Sequence, residues 1–264
     1  MKKSNDSGHA KNSAQFNEAV EFVSNLGVNY NPSNIQIQLS TLQTISAEIK
    51  VVLDGMAKVE PIYKEAIYNR QNVFNNLDQF TSKALNALSS CDVDYKILSE
   101  AKSISKKILG SSKPKKKGEP PPEDLEVIMN AVTETDESGI TEEVTNKRTN
   151  STSQRGFDRR SNNFTKFCFL LSSIPEYIPN ETELQISELN IFQQKVADTN
   201  KLAVKAINLM TDARIARDTL FYTRKNNAYE TFKKIKSYVK SIYGASAPQS
   251  RAVSKLSFKL IKSQ

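Results

Sequence analysis

The residues of this 264-residue chain that could carry chemistry are few: one histidine, two cysteines and a scatter of carboxylates. A serine or cysteine nucleophile needs a base beside it. The single histidine, His9, stands in the polar start MKKSNDSGHAKNSAQ, where it reads as a solvated tail residue. One histidine and two distant cysteines cannot supply the ligands of a zinc site, and a diiron bundle would want two Glu-x-x-His motifs. Cys91 and Cys168 read as reduced thiols, Cys168 as a small core hydrophobe inside the apolar run 167–171. Glu181 and Glu183 sit at a helix start, where acids favour the macrodipole, and Glu142 and Glu143 fall in a polar stretch. The loop around Asp92, Asp94 and Glu100 lacks the glycine and the final glutamate of a calcium hand. With eight glycines there is no GxGxxG, no GxxxxGK[ST] and no GxSxG. The expectation is a non-catalytic chain with no cofactor and no metal.

Charge is the stronger signal. The chain carries 37 Lys and Arg against 29 Asp and Glu, a net of +8. Residues 201–264 hold 14 of those cations and three acids, a net of +11. Lys233, Lys236 and Lys240 follow at steps of three and four, with Tyr229 and Tyr243 at the ends of the same face. Arg224, Lys225, Lys234, Lys255, Lys259 and Lys262 surround it. Lysines that neutralise phosphates beside tyrosines that stack are the physics of a sequence-tolerant nucleic-acid face. The competing readings are a solvated basic face turned toward an acidic stretch of the same chain, and attachment of the basic, apolar tail SKLSFKLIKS to an anionic membrane.

The elements that position these residues come in two copies. Shifting the chain by 147 residues lays Tyr30–Phe74 over Tyr177–Phe221 without a gap, with nine identities. These include Tyr30/Tyr177, Pro32/Pro179, Arg70/Arg217 and Phe74/Phe221, and Phe22/Phe169 extends the register upstream. Each copy opens on Tyr-x-Pro and a polar cap, Ser33-Asn34 in one and Asn180 in the other. Apolar residues then recur at helical spacing: Ile35, Leu39, Leu42, Ile45, Ile49 and Val52, matched by Ile186, Leu189, Phe192 and Val196. Pro61 predicts a kink or break near 55–61 in the first copy, and Asn75-Asn76 a second one. The second copy is free of Pro and Gly from Asn180 to Gly244, so its first helix runs to Thr223 and breaks at Asn226-Asn227. Further helices follow over Tyr95–Leu109 and Ala228–Tyr243, the latter stopped by Gly244, with a short one after Pro248. The paired Arg70 and Arg217 stand one turn before their Phe; they read as structural, with an anion clamp as the alternative.

These patterns predict a disordered start (1–11), a first helical repeat (12–109), a charged, Pro-rich flexible linker (110–155) and a second repeat (156–264). Within the linker, residues 111–145 hold four lysines against nine acids, with Leu125, Val127, Ile128 and Met129 as its one apolar cluster. The fold class is all-α: a duplicated helical unit forming an antiparallel helix bundle with pseudo-twofold symmetry and negligible strand. Without a secretory signal or a 20-residue apolar span, the expectation is a cytoplasmic protein with no transmembrane segment.

The segments FNEAVEFVSNLGVNYNPSN, RGFDRRSNNFTKF, SIPEYIPNETEL and YVKSIYGASAPQSRAVSKLSF resemble a set of uncharacterised tandem-repeat helical proteins frequent in Bacteroidota genomes. The resemblance runs over nearly the whole chain and includes the Phe-Asp-x-Arg run at Phe157–Arg160. Where those proteins commonly read Ser-Pro-Gln-Tyr, this chain reads Ala247-Pro248-Gln249-Ser250. The resemblance implies the duplicated helical fold in a bacterial protein and carries no activity. The function expected is a structural or protein-interaction module, acting on an unknown partner or by self-association through an exposed groove. Nucleic-acid binding through the basic C-terminal half is the alternative.

Overall fold

A computed structural model describes residues 6–110 and 156–261. Among the described residues all regular structure is helical. The helices are α1 (Asp6–Asn25), α2 (Leu39–Ser90), α3 (Tyr95–Leu109), α4 (Phe157–Ser172), α5 (Ile186–Asp218), α6 (Ala228–Tyr243) and α7 (Pro248–Lys255). Short 3-10 turns, Ile35–Ile37 and Thr182–Leu184, precede α2 and α5, and a π turn, Thr219–Thr223, follows α5. Residues 111–155 of the predicted linker, with its lysine run and apolar cluster, lie outside the described residues, as does Lys262.

The chain forms two compact units, and their boundary falls inside α2 and α5: residues 1–73 with 198–264, and residues 74–197. In the first unit, Phe16, Ala19 and Val23 of α1 pack with Leu42, Ile45 and Ile49 of α2, Phe221 of the π turn and Phe232, Ile235 and Val239 of α6. Contacts between α2 and α5 in this unit run in opposite chain directions. Arg217 meets Met56, and seven residues further on Arg224 meets Glu48. The chain after α7 is strapped to α1: Asn12 and Lys259 exchange two hydrogen bonds of 2.7 and 2.9 Å, and the Ser257 N–H donates to Gln15 at 2.7 Å. Phe258 thereby enters the core against Phe16 and Phe232.

In the second unit, Phe164, Phe167, Cys168 and Leu171 of α4 are buried, and Phe80 of α2 stacks on Phe192 of α5 at 4.4 Å. Arg160 fixes α4 to its neighbours, donating from Nε to the Ile108 carbonyl at the end of α3 and from Nη2 to the Phe74 carbonyl and the Asp78 carboxylate. Phe157 stands edge-on to Phe74 at 4.9 Å. Phe157 and Arg160, the ends of the Phe-Asp-x-Arg run, therefore both anchor a helix.

The Tyr-x-Pro motif does the same local work twice. Tyr30 donates its hydroxyl proton to the Ile37 carbonyl at 2.8 Å, and Tyr177 donates to the Leu184 carbonyl at 3.0 Å. Each clamps the 3-10 turn that leads into a long helix. Of the predicted caps, Asn34 accepts from the Gln36 N–H, whereas Asn180 does not cap: Glu181 occupies the N-cap with no side-chain bond.

Several expectations are corrected. Residues 6–11 are helical rather than disordered, because the buried stripe of α1 runs backward from Phe16 through Asn12 to His9. Pro61 does not break α2, which is continuous through it and through Asn75-Asn76. Pro61 and Ala57, whose carbonyl loses its helical partner, are both exposed, so the orphaned group is open to solvent. Ile35 is 71% exposed, outside the stripe assigned to it. Phe22 and Phe169 are not equivalent either: Phe22 is half-buried and Phe169 is 68% exposed. Burial in α1 and α4 aligns at 148 rather than 147 residues, Phe16 with Phe164, Val20 with Cys168 and Val23 with Leu171. The turn at Gly27–Asn29 holds the extra residue.

Candidate interaction surface

The structure divides the predicted basic face into structural and solvent-facing cations. Lys236 donates to the Ser254 and Leu256 carbonyls at the end of α7 and lies 5.0 Å over the Phe232 ring. Burial, then the neighbouring Lys240 charge, pushes its ammonium below the ordinary value. Lys234 reaches Gln36 at 2.6 Å and Asn226 at 3.4 Å, and Arg224 pairs with Glu48 at 2.6 Å. Lys233 sits 3.7 Å from Glu230 and 4.4 Å over Tyr229. Tyr229 and Tyr243 pack against the core rather than standing free to stack. The Lys233/Lys236/Lys240 stripe is thus not one phosphate track, because its middle member caps α7. Lys225, Lys240, Lys255 and Lys259 face solvent. The tail is likewise corrected as an apolar anchor, since Phe258 belongs to the core.

A buried polar cluster went unseen in the sequence. His9 is 2% exposed, edge-on to Phe221 at 5.5 Å, with Nε2 3.8 Å from Asp218. Asp218 also accepts from Arg217 Nε at 2.8 Å, and Asn12 donates to the Tyr222 hydroxyl at 3.1 Å. The signal was present as the backward spacing 16, 12, 9 of the α1 stripe. A substrate cannot reach an imidazole so enclosed, and the cluster reads as a lock between α1 and the end of α5. Arg217 pairs with its sequence neighbour Asp218 and reaches across to Met56 of α2. The anion clamp is excluded by distance: Arg217 lies at Met56, fourteen residues, or about 21 Å along α2, from Arg70. Cys168 is 2% exposed, and desolvation pushes its thiol up to about 12. In the second unit, a groove of about 580 Å³ between Cys91 and Pro179 is bridged by the Lys83–Glu183 ion pair of 2.6 Å.

The remaining feature is the flank of the α2/α5 pair in the first unit. Along α2, Ile49, Leu53, Met56, Glu60, Tyr63, Ile67 and Arg70 alternate by four and three, and none is exposed. Along α5, Asn200, Ala203, Ile207, Met210, Arg214 and Arg217 do the same. A 3.5-residue repeat is the seam of paired helices, and its polar members fix register at a cost in stability. On one side of this seam the flanking residues are apolar on both helices: Val52, Val59, Ile62 and Ala66 from α2, and Leu202, Leu209 and Ala216 from α5. Ile62 is 53% exposed, Leu202 62% and Leu209 42%. The other side carries Pro61, Lys64, Gln71, Lys201, Asn208 and Thr211, all exposed, interspersed with exposed Tyr68, Val204 and Ile215. At one end of the apolar side lies an open groove of about 560 Å³ lined by Thr44, Val51, Val52, Ala216 and Leu220, with the Glu48–Arg224 pair at its rim. Contiguous apolar patches larger than a few hundred Å² are uncommon on the surfaces of monomeric soluble proteins.

No family model, curated protein or solved structure matches the chain.

Proposed function

We propose that the protein is a non-catalytic interaction module, a duplicated helical bundle with pseudo-twofold symmetry whose working surface is the apolar flank of α2 and α5. The observation that carries this reading is the unequal decoration of the two sides of one helix pair. A helix pair that only had to hold itself together would be polar on both flanks. The duplication is supported by the matching Tyr30 and Tyr177 clamps and by equivalent burial of Phe74 and Phe221. Kinship with the Bacteroidota set is part of the same proposal. The enclosure of His9 and the raised Cys168 thiol give no support to an enzyme.

Site-specific photocross-linking in cells tests the reading. A photoreactive residue at Ile62 or Leu209 is expected to link to protein, and one at Thr211 on the opposite flank is not. Equal yields from the three positions, or none, would overturn the assignment.

The second reading, sequence-tolerant nucleic-acid binding, keeps Lys225, Lys240, Lys255 and Lys259 as its solvent-facing contacts. Four phosphate contacts would weaken duplex DNA binding by about 100-fold between 50 and 200 mM salt, read by fluorescence anisotropy. Absence of binding at the lower salt removes this reading.

A further inference from the structure

We infer that the apolar flank of α2 and α5 is a self-association surface, on which the matching flank of a second copy of this chain docks to make a four-helix arrangement. This rests on the interaction-module reading and names its partner.

The argument begins at the rims of the flank. Outside the apolar residues, α2 presents Lys58 and Glu65 one heptad apart, and α5 presents Lys205 and Asp212 one heptad apart. All four are exposed, and none has an ion-pair partner among the described residues. The register set by Glu48 with Arg224 and Met56 with Arg217 puts Lys58 nearly level with Asp212 and Glu65 nearly level with Lys205. At each level the two rims therefore carry opposite signs.

A twofold axis parallel to the helices and lying in the flank lays α2 of one copy over α5 of the other, level with level. Lys58 of each copy then meets Asp212 of the other, and Glu65 meets Lys205. Because α2 and α5 run in opposite directions within a chain, each helix in the assembly has antiparallel neighbours on both sides, the arrangement that four-helix bundles prefer. A partner with a single-signed rim would leave two like-charge contacts, each unfavourable. The self-complementary pattern selects a second copy.

The dimensions agree. From Thr44 in the groove to Ala66 the flank is about 33 Å long, and a helix pair is about 20 Å wide, giving about 650 Å² per copy. The total of about 1,300 Å² lies within the range of specific interfaces, about 1,200–2,000 Å². Away from the groove, Ile62, Leu202 and Leu209 of the two copies bury one another, and the Glu48–Arg224 pairs of both copies lie together at the groove end.

Sedimentation equilibrium of the full chain, from about 1 to about 100 μM, tests this directly. The expected result is a dimer mass at the upper end. Ile62→Asp with Leu209→Asp should weaken the dimer at least about 100-fold while far-UV circular dichroism stays unchanged, since both positions face solvent. Lys58→Glu alone should weaken it about 3- to 10-fold, and Lys58→Glu combined with Asp212→Lys should restore it. A monomer at every concentration overturns self-association, as does a dimer indifferent to the Ile62/Leu209 pair or a charge swap without rescue. The broader reading fails separately: a monomer whose Ile62 and Leu209 still cross-link to other proteins overturns only the dimer, and a monomer that cross-links to none overturns both.

Discussion

Tyr30 and Tyr177 show how one hydroxyl can set the geometry of a 52-residue or a 33-residue helix. Each phenol reaches seven residues forward and fixes the turn before its helix. Burial raises both phenols, with Tyr238 adding to Tyr30, and Tyr177 is pushed up to about 12. The protonated form is the one favoured in the folded state. Its contribution is therefore complete below pH 10 and is lost as the pH rises from 10 toward 12. The melting temperature should fall across that interval, and Tyr177→Phe should flatten the fall while lowering stability at pH 8 by about 1 kcal/mol. The thiols offer a second test. Iodoacetamide at pH 8 should modify partly exposed Cys91 and leave buried Cys168 untouched, giving one adduct by mass spectrometry in the native chain and two after unfolding. Tyr-x-Pro was legible in the sequence because both copies carry it at one spacing. His9 was not, because a lone histidine in a polar segment has no periodic partner C-terminal to it before Asn12 and Phe16, and the latter alone is apolar.

At the scale of elements, composition predicted where helices end better than whether they continue. α3 and α6 match their sequence bounds because Gly110 and Gly244 close them at φ 78°, with ψ of 162° and 157°. That backbone region is accessible essentially to glycine alone. Gly244→Ala, which meets no neighbour, should still cost about 1–3 kcal/mol in urea unfolding. Pro61 misled for the opposite reason: a proline penalty is local, whereas the seam on both sides of it holds α2 straight through. Pro61→Ala restores a hydrogen-bond donor to an exposed turn and should stabilise the protein by about 1–3 kcal/mol, read as a rise in urea midpoint at constant slope. The equivalence of α1 and α4 was hidden by one inserted residue, since a gapless comparison slides a helix by 100° and turns its buried face outward.

At the scale of the molecule, the all-α class was legible from helical periodicity and capping alone. The division into units was not. The sequence breaks at the linker, but the compact units divide at residues 73 and 197, inside two unbroken helices. A helix shared by two cores couples their melting, so one thermal transition is expected, with calorimetric and van't Hoff enthalpies equal. The first unit takes its N-terminal strand of chain from one half of the sequence and its remaining helices from the other, and so does the second. Gene halves and structural halves therefore do not coincide. A polypeptide ending at Gly110 would carry half of each core and could complete neither, as would one beginning at Gly156. Supplied together, the two pieces should reassemble through α2 and α5 and co-purify as a stoichiometric pair, while either piece expressed alone should fail to fold. The chain would then behave as a built-in complementation system, in which covalent continuity between its halves is dispensable and their simultaneous presence is not.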